Sequence, residues 1–147
     1  MKNKIAVVGG GVFGTTVSWL LSKNGYKVDL FEKERDIFMA ASGINQYRLH
    51  RGYHYPRSTE TILTCLKGEK EFSEIYSDSI LDEGIENYYC VAKEGSYVSP
   101  QHCIDVWQSC NLEYEKSYPP IVNNKVLASS FKVKEKLFSH VRLKKLI

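Results

Sequence analysis

The chain has 147 residues, a length that supports one domain, and its composition of 43% hydrophobic and 25% charged residues is ordinary for a soluble globular protein. No apolar run is long enough to span a bilayer, and Met1–Lys4 leads directly into a strand pattern, so we expect no transmembrane segment and no signal peptide. The net charge of +3 is too small to favour nucleic acid as a partner.

The first 32 residues carry a dinucleotide-binding pattern. An apolar run ends in Gly-x-Gly-x-x-Gly, a helical pattern follows, and a second apolar run ends in Glu32. This order predicts a strand, a tight turn, a helix and a second strand, with the helix N-terminus facing a diphosphate and the acid facing a ribose. The candidate cofactor-binding residues of this segment are Gly9, Gly11, Val12, Phe13, Gly14, Glu32 and Lys33.

The pattern does not by itself identify the dinucleotide. Glu32 disfavours NADP because a carboxylate repels a 2′-phosphate, whereas NAD and FAD both present a free ribose diol. A nicotinamide dehydrogenase would normally continue with another short strand–helix unit. This chain instead continues with a loop of small residues and an aromatic, basic segment, which disfavours NAD.

The loop from Ser42 to Asn45 is a second candidate site. Its hydroxyl, amide and backbone N–H groups suit phosphate, ribityl or flavin-ring oxygens. The alternative is a solvated turn, because Ser, Gly and Asn are the usual turn residues.

The segment from Tyr47 to Tyr55 alternates in a way that predicts a strand with Arg48, His50 and His54 on one face. These side chains could assist a carboxylate substrate or a flavin anion. Structural hydrogen bonds or exposure to solvent are the alternative for each of them, and the sequence does not identify a catalytic residue.

Further elements follow from periodicity and capping signals. We predict a helix over 58 to 77, a strand from Gly84 to Ala92, a helix from Pro100 to Ser109 with Ser99 as N-cap, a strand from Leu127 to Val133, and a helix from about Ser139.

The four cysteines, Cys65, Cys90, Cys103 and Cys110, form no C-x-x-C pair and have no histidines at metal-ligand spacing. We therefore expect a reduced, cytoplasmic protein without a metal site. Residues 131–147 hold six Lys or Arg and one Glu, which we interpret as the start of a helix rather than a lipid-binding or nucleic-acid-binding tail.

Two blocks of the sequence carry a family resemblance. One is the glycine pattern with Glu32; the other is Ala41-Ser42-Gly43-x-Asn45, followed by Leu49-His50-x-Gly52 and Tyr55. Together they resemble the N-terminal part of FAD-dependent oxidoreductases of the D-amino-acid oxidase superfamily, nearest the L-2-hydroxyglutarate oxidase branch. The resemblance implies FAD as cofactor and oxidation of a small amine or 2-hydroxy acid by hydride transfer to the flavin. It also implies that Ser42, Asn45, Leu49 and His50 bind the cofactor.

The expected fold class is α/β: a Rossmann-like FAD/NAD(P)-binding βαβ unit with part of an α+β substrate domain. We predict an incomplete FAD-binding region over 1–80, part of the substrate domain over 81–135, and the start of a truncated helix over 136–147. Relatives by resemblance are more than twice as long, so we expect a truncated flavoenzyme. The alternatives are a non-catalytic dinucleotide-binding remnant, a subunit completed by another chain, or a fragment of an NAD-dependent dehydrogenase.

Overall fold

The computed structural model describes residues 4–81 and 84–147, which form a mixed α/β structure. In chain order the elements are β1 (Lys4–Val8), α1 (Val12–Lys23), β2 (Lys27–Phe31), β3 (Arg48–Leu49), α2 (Thr59–Tyr76), β4 (Ile80–Leu81), β5 (Asn87–Ala92), α3 (Pro100–Ser109), β6 (Tyr114–Lys116), β7 (Leu127–Val133), β8 (Lys136–Phe138) and α4 (His140–Leu146).

The described residues divide into two compact units. The first contains the chain up to Tyr47 together with Ser139–Ile147, and the second contains Arg48–Phe138. These units are defined by spatial contacts, so the functional division predicted at residues 80 and 135 stays a prediction. Within the described residues, no helix combines the length and the apolar character that crossing a bilayer requires.

The first unit is built on a parallel strand pair. β1 and β2 run parallel, with Ile5 opposite Val28 and Val7 opposite Leu30. Parallel strands need a crossover connection, which α1 supplies. The helix ends at Lys23 with Asn24 as its C-cap, and Gly25 with φ of 80° turns the chain into β2. The strand–turn–helix–strand order predicted for the first 32 residues is therefore present.

The second unit contains two antiparallel sheets with strand orders β3-β8-β4 and β5-β7-β6. Its core is centred on Trp107, which is fully buried and meets Tyr89 and Phe131 edge to face at 5.2 Å between ring centroids. The indole N–H donates a hydrogen bond to the carbonyl oxygen of Tyr53 at 3.1 Å, so the polar edge of the ring is satisfied inside an apolar core. Cys103, one helical turn before Trp107, is fully buried on the same face of α3.

Four of the predicted elements are confirmed closely. α2 spans Thr59–Tyr76, α3 spans Pro100–Ser109, β7 spans Leu127–Val133, and α4 spans His140–Leu146 with Ser139 as its N-cap. The first residues of the predicted 136–147 helical segment instead form the strand β8, because they pair with β3 and β4. The Ser99 side chain accepts a hydrogen bond from the His102 N–H at 3.1 Å, as expected of an N-cap. The predicted strand from Gly84 begins later, at Asn87.

The predicted strand from Tyr47 to Tyr55 is wrong. Only Arg48–Leu49 is extended and paired, after which the chain turns at Gly52, whose φ is 91°. Gly52 also lies against α2 so closely that a Cβ there would stand 2.7 Å from the Ile62 Cα. The turn and this close approach both require glycine, and they break the strand that the alternating pattern predicted.

Candidate dinucleotide site

The glycine turn at the end of β1 is held by a close approach of backbone to backbone. Gly9 has φ of 105° and donates its N–H to the Phe31 carbonyl oxygen at 2.8 Å, which ties the turn to the end of β2. A Cβ on Gly14 would lie 1.9 Å from the Gly9 carbonyl oxygen, so α1 can start this close to the turn only with glycine at residue 14.

Glu32 follows β2 and reaches back to the same turn. Its carboxylate accepts hydrogen bonds from the Gly10 N–H and from the Glu34 N–H, the latter at 2.9 Å. The backbone N–H groups of Glu34 and Gly10 lower the pKa of Glu32 below its ordinary value, so this carboxylate is anionic at neutral pH. The neighbouring Lys33 side chain is exposed and lies 3.8 Å from the Glu34 carboxylate.

The N-terminus of α1 is met by a side chain from a distant loop. The Val12 N–H donates to the Ser42 hydroxyl oxygen at 3.0 Å, thirty residues along the chain. Gly11, the N-cap residue, has no side chain to cap the helix, and the first turn contains no acidic residue. Phe13 is 86% exposed. The first N–H groups of a helix have no acceptor within the helix, and together with the positive end of the helix dipole they make this terminus suited to an anion.

Asn45 acts on its own loop in this structure. Its side-chain amide donates to the Ala41 carbonyl oxygen at 2.9 Å and accepts from the Tyr47 N–H at 2.6 Å. These are the hydrogen bonds of a turn residue. The two members of the predicted loop site therefore differ, since Ser42 contacts the helix start and Asn45 stabilises the loop.

Leu49 and His50 belong to the second unit. Leu49 is buried in β3, whereas His50 is exposed. His50 lies beside His54, with 4.5 Å between ring centroids. Burial, and to a lesser extent the nearby His50, lowers the pKa of His54 below its ordinary value.

Glu135 was not singled out by sequence analysis. Its side chain is fully buried between β7 and β8, where it pairs with the Arg48 guanidinium and accepts the Arg51 N–H at 2.9 Å. The His50 Nδ1 atom lies 3.9 Å from a Glu135 carboxylate oxygen. A glutamate in a run of lysines gives no sequence signal for this role, because its partners lie more than eighty residues earlier in the chain.

Residues 4–99 match the DAO family, described as FAD dependent oxidoreductase. The chain belongs to this family. FAD is the cofactor of the family, as the resemblance of the glycine pattern and the Ser42 loop implied. No solved structure matches the chain significantly.

The curated relatives of this chain include proteins named as monooxygenases and as a dehydrogenase. It is 40% identical to the FAD-dependent monooxygenase kojA of Aspergillus flavus over 78 residues, which are 53% of this chain and 18% of that protein. It is 37% identical to the FAD-dependent monooxygenase FPY4 of Fusarium mangiferae over 76 residues, 52% of this chain and 21% of that one. It is 33% identical to the mitochondrial L-2-hydroxyglutarate dehydrogenase of Caenorhabditis elegans over 69 residues, 46% of this chain and 16% of that one. The matches thus span about a fifth of the relatives' length.

Proposed function

We propose that this chain supplies the ADP-binding part of an FAD-dependent oxidoreductase, with β1, α1 and β2 as its Rossmann-like unit. The observation that carries the proposal is the convergence of the glycine turn, the N-terminus of α1 and the Glu32 carboxylate. Donors for a diphosphate and an acceptor for a ribose diol then lie at one end of a parallel strand pair, where dinucleotides bind in such folds.

The residues fit the ADP half of FAD. A Cβ on Gly11 would come within 3.2 Å of the Ser42 hydroxyl oxygen, so glycine keeps this space beside the helix start free of a side chain. Backbone N–H donors hold the Glu32 side chain as a carboxylate anion. In this form it can accept hydrogen bonds from the ribose hydroxyl groups. The residues proposed to bind the cofactor are Gly9, Gly11, Val12, Phe13, Gly14, Glu32, Lys33, Ser42, Asn45, Leu49 and His50.

Each part of this set has a separate task. The backbone at the start of α1 binds the diphosphate, Glu32 binds the ribose, and Ser42 presents its hydroxyl to the same terminus. We assign Asn45, Leu49 and His50 to the flavin side by resemblance alone. Bound FAD would accept a hydride from a C–H next to an amine or hydroxyl group of a small substrate, and the protein would orient the reactants.

The complete activity is proposed for a larger flavoprotein. Because the chain spans about a fifth of its relatives' length, the remaining flavin-ring and substrate groups would come from a longer form of the chain or from a complementing chain. The alternative is a chain that binds the nucleotide but does not catalyse a reaction. The match to only about a fifth of the relatives' length supports this alternative as well.

The test is cofactor binding by the purified full chain. We expect FAD, and ADP as a probe of its adenosine half, to bind in calorimetry, with flavin absorbance retained after gel filtration for FAD. Glu32→Gln keeps an oxygen that can accept from the Gly10 N–H but removes the charge. It should weaken ADP binding at least about tenfold, because a hydrogen bond to a charged group contributes about 1.5–3 kcal/mol. Glu34→Gln, two residues away and exposed, is the matched control and should bind as the wild type does.

Two results would contradict the proposal. If the folded protein binds neither FAD nor ADP, the proposed dinucleotide site is wrong. Tight NAD binding without any flavin binding would point to an NAD-dependent dehydrogenase fragment instead.

A further inference from the structure

Three side chains of the second unit converge on one point. His50, His54 and Glu135 each offer one ligand atom, and these atoms lie within 4.8 Å of one another. Within residues 4–81 and 84–147, this is the one group of three or more His, Cys, Asp or Glu that meets at such a distance. We propose that these three residues bind a divalent transition-metal ion such as Zn²⁺.

The chain brings the ligands together through a turn and a long-range contact. Gly52, at φ of 91°, reverses the chain between the two histidines, so their rings meet although they do not lie on a helix. Glu135 comes from the connection between β7 and β8, 81 residues after His54, and is fixed there by the Arg51 N–H. The spacing of cysteines and histidines along the chain predicts no metal site, because the three residues of this set meet only through tertiary contact.

The donor set has the chemistry of a known class of site. Two imidazoles and one carboxylate form a ligand set used by zinc enzymes, in which the remaining positions are open to water. Zinc–ligand bonds of about 2.0–2.2 Å require ligand atoms roughly 3.4 Å apart, so no two of these atoms, which all lie within 4.8 Å, need to approach by more than about 1.4 Å. The His50 Nδ1 atom lies 3.9 Å from the Glu135 carboxylate, and this 44% exposed side chain can rotate toward it; its exposure also leaves a path for the ion to enter.

The groups around the cluster contact different oxygens of the Glu135 carboxylate. Arg48 binds Oε2, whereas the Arg51 N–H and His50 approach Oε1. An ion on Oε1 therefore leaves the Arg48 pair intact. The guanidinium repels the ion and lowers its affinity, but it also holds the carboxylate in one orientation, which is the role of outer groups around metal ligands.

The test is zinc binding by the chain after metal has been removed by chelation and dialysis. We expect calorimetry to detect one Zn²⁺ per folded chain. His50→Gln and His54→Gln should each weaken binding at least about tenfold, because the loss of a directly bound ligand should exceed the roughly 10- to 100-fold cost of losing an outer partner. Glu135→Gln is a poor test, since it leaves the buried Arg48 partner uncompensated and endangers folding.

The other two histidines are matched controls. His102 contacts the Pro56 carbonyl oxygen at 3.0 Å, and His140 stacks on Tyr47 in the first unit. Replacing either by glutamine should leave Zn²⁺ affinity unchanged. The proposal is overturned if the folded wild-type chain binds no Zn²⁺ stoichiometrically, or if His50→Gln and His54→Gln bind it as tightly as the wild type does. The titration is made without FAD, because His50 also belongs to the residues proposed for the flavin side. His54→Gln lies outside that set, so its effect on Zn²⁺ binding distinguishes failure of the metal site from failure of the dinucleotide site.

Discussion

Gly14→Ala is the substitution whose effect follows most directly from the backbone of the candidate dinucleotide site. A Cβ at this residue would lie 1.9 Å from the Gly9 carbonyl oxygen and 3.1 Å from its carbon. Both atoms belong to the backbone, so no side-chain rotation can relieve the clash. The start of α1 must move away from the glycine turn.

The expected magnitude is the difference between two opposing effects. Overpacking costs about 1–3 kcal/mol, and a clash with backbone belongs at the upper end of that range. Alanine in place of glycine in a helix recovers roughly 0.5–1 kcal/mol. We therefore expect a net loss of about 1–2 kcal/mol for Gly14→Ala, or a change of about 5- to 30-fold in the opening equilibrium of α1.

Gly68→Ala is a control of identical chemistry with the opposite expected sign. Gly68 lies inside α2, and a Cβ there would meet no atom within 4 Å. Only the helical preference of alanine then acts, so α2 should gain roughly 0.5–1 kcal/mol, which is about a two- to fivefold change.

Hydrogen exchange read by mass spectrometry separates the two helices and therefore the two units. Amides of α1 should exchange faster in Gly14→Ala, and amides of α2 should exchange more slowly in Gly68→Ala. Unchanged or increased protection of α1 in Gly14→Ala would refute the close approach of residues 9 and 14, and with it the geometry on which the dinucleotide site depends.

Three further predictions concern single groups. A carboxyl NMR titration should place the pKa of Glu32 below 4.5, because backbone N–H donors, first that of Glu34, stabilise its anion. The folding stability that these hydrogen bonds contribute is present above about pH 4.5 and is lost as the pH falls through the lower pKa of the folded state. Iodoacetamide should modify the exposed Cys90 in the native chain before Cys103, since Cys103 is fully buried and its burial raises the pKa of the thiol; equal rates in folded protein would contradict this. Ser99→Ala should destabilise α3 by about 1 kcal/mol in local hydrogen exchange, because the His102 N–H loses its acceptor, whereas Ser99→Asp should restore most of that loss.

Sequence reasoning succeeded where a few neighbouring residues decide the structure. The serine at residue 99 and the proline that follows it fix the start of α3 through a cap and a preset backbone angle, and both effects lie within one helical turn. The glycine pattern works in the same way, since residues 9 and 14 meet each other directly.

Sequence reasoning failed where a contact joins distant parts of the chain. The alternation after Tyr47 has the period of a strand, yet Gly52 fits against Ile62 of α2 and turns the chain instead. Arg48 and His50 do share surroundings, as the strand prediction required, but the reason is the buried Glu135 rather than a common strand face. A lone glutamate among lysines does not reveal such a partner.

The comparisons explain why the cofactor can be assigned with more detail than the reaction. Relatives named as monooxygenases and as a dehydrogenase each match about half of this chain, so the matched part is compatible with different reactions. That is the physical expectation if the backbone donors at the start of α1 and Glu32 have the roles proposed above, since such groups would recognise the nucleotide and not the substrate. Identifying the substrate therefore depends on groups outside the glycine turn, and the cluster of His50, His54 and Glu135 is one such group, in which only His50 also belongs to the proposed cofactor set. If zinc binding fails and FAD binding succeeds, the same three side chains become the first to vary in a substrate screen.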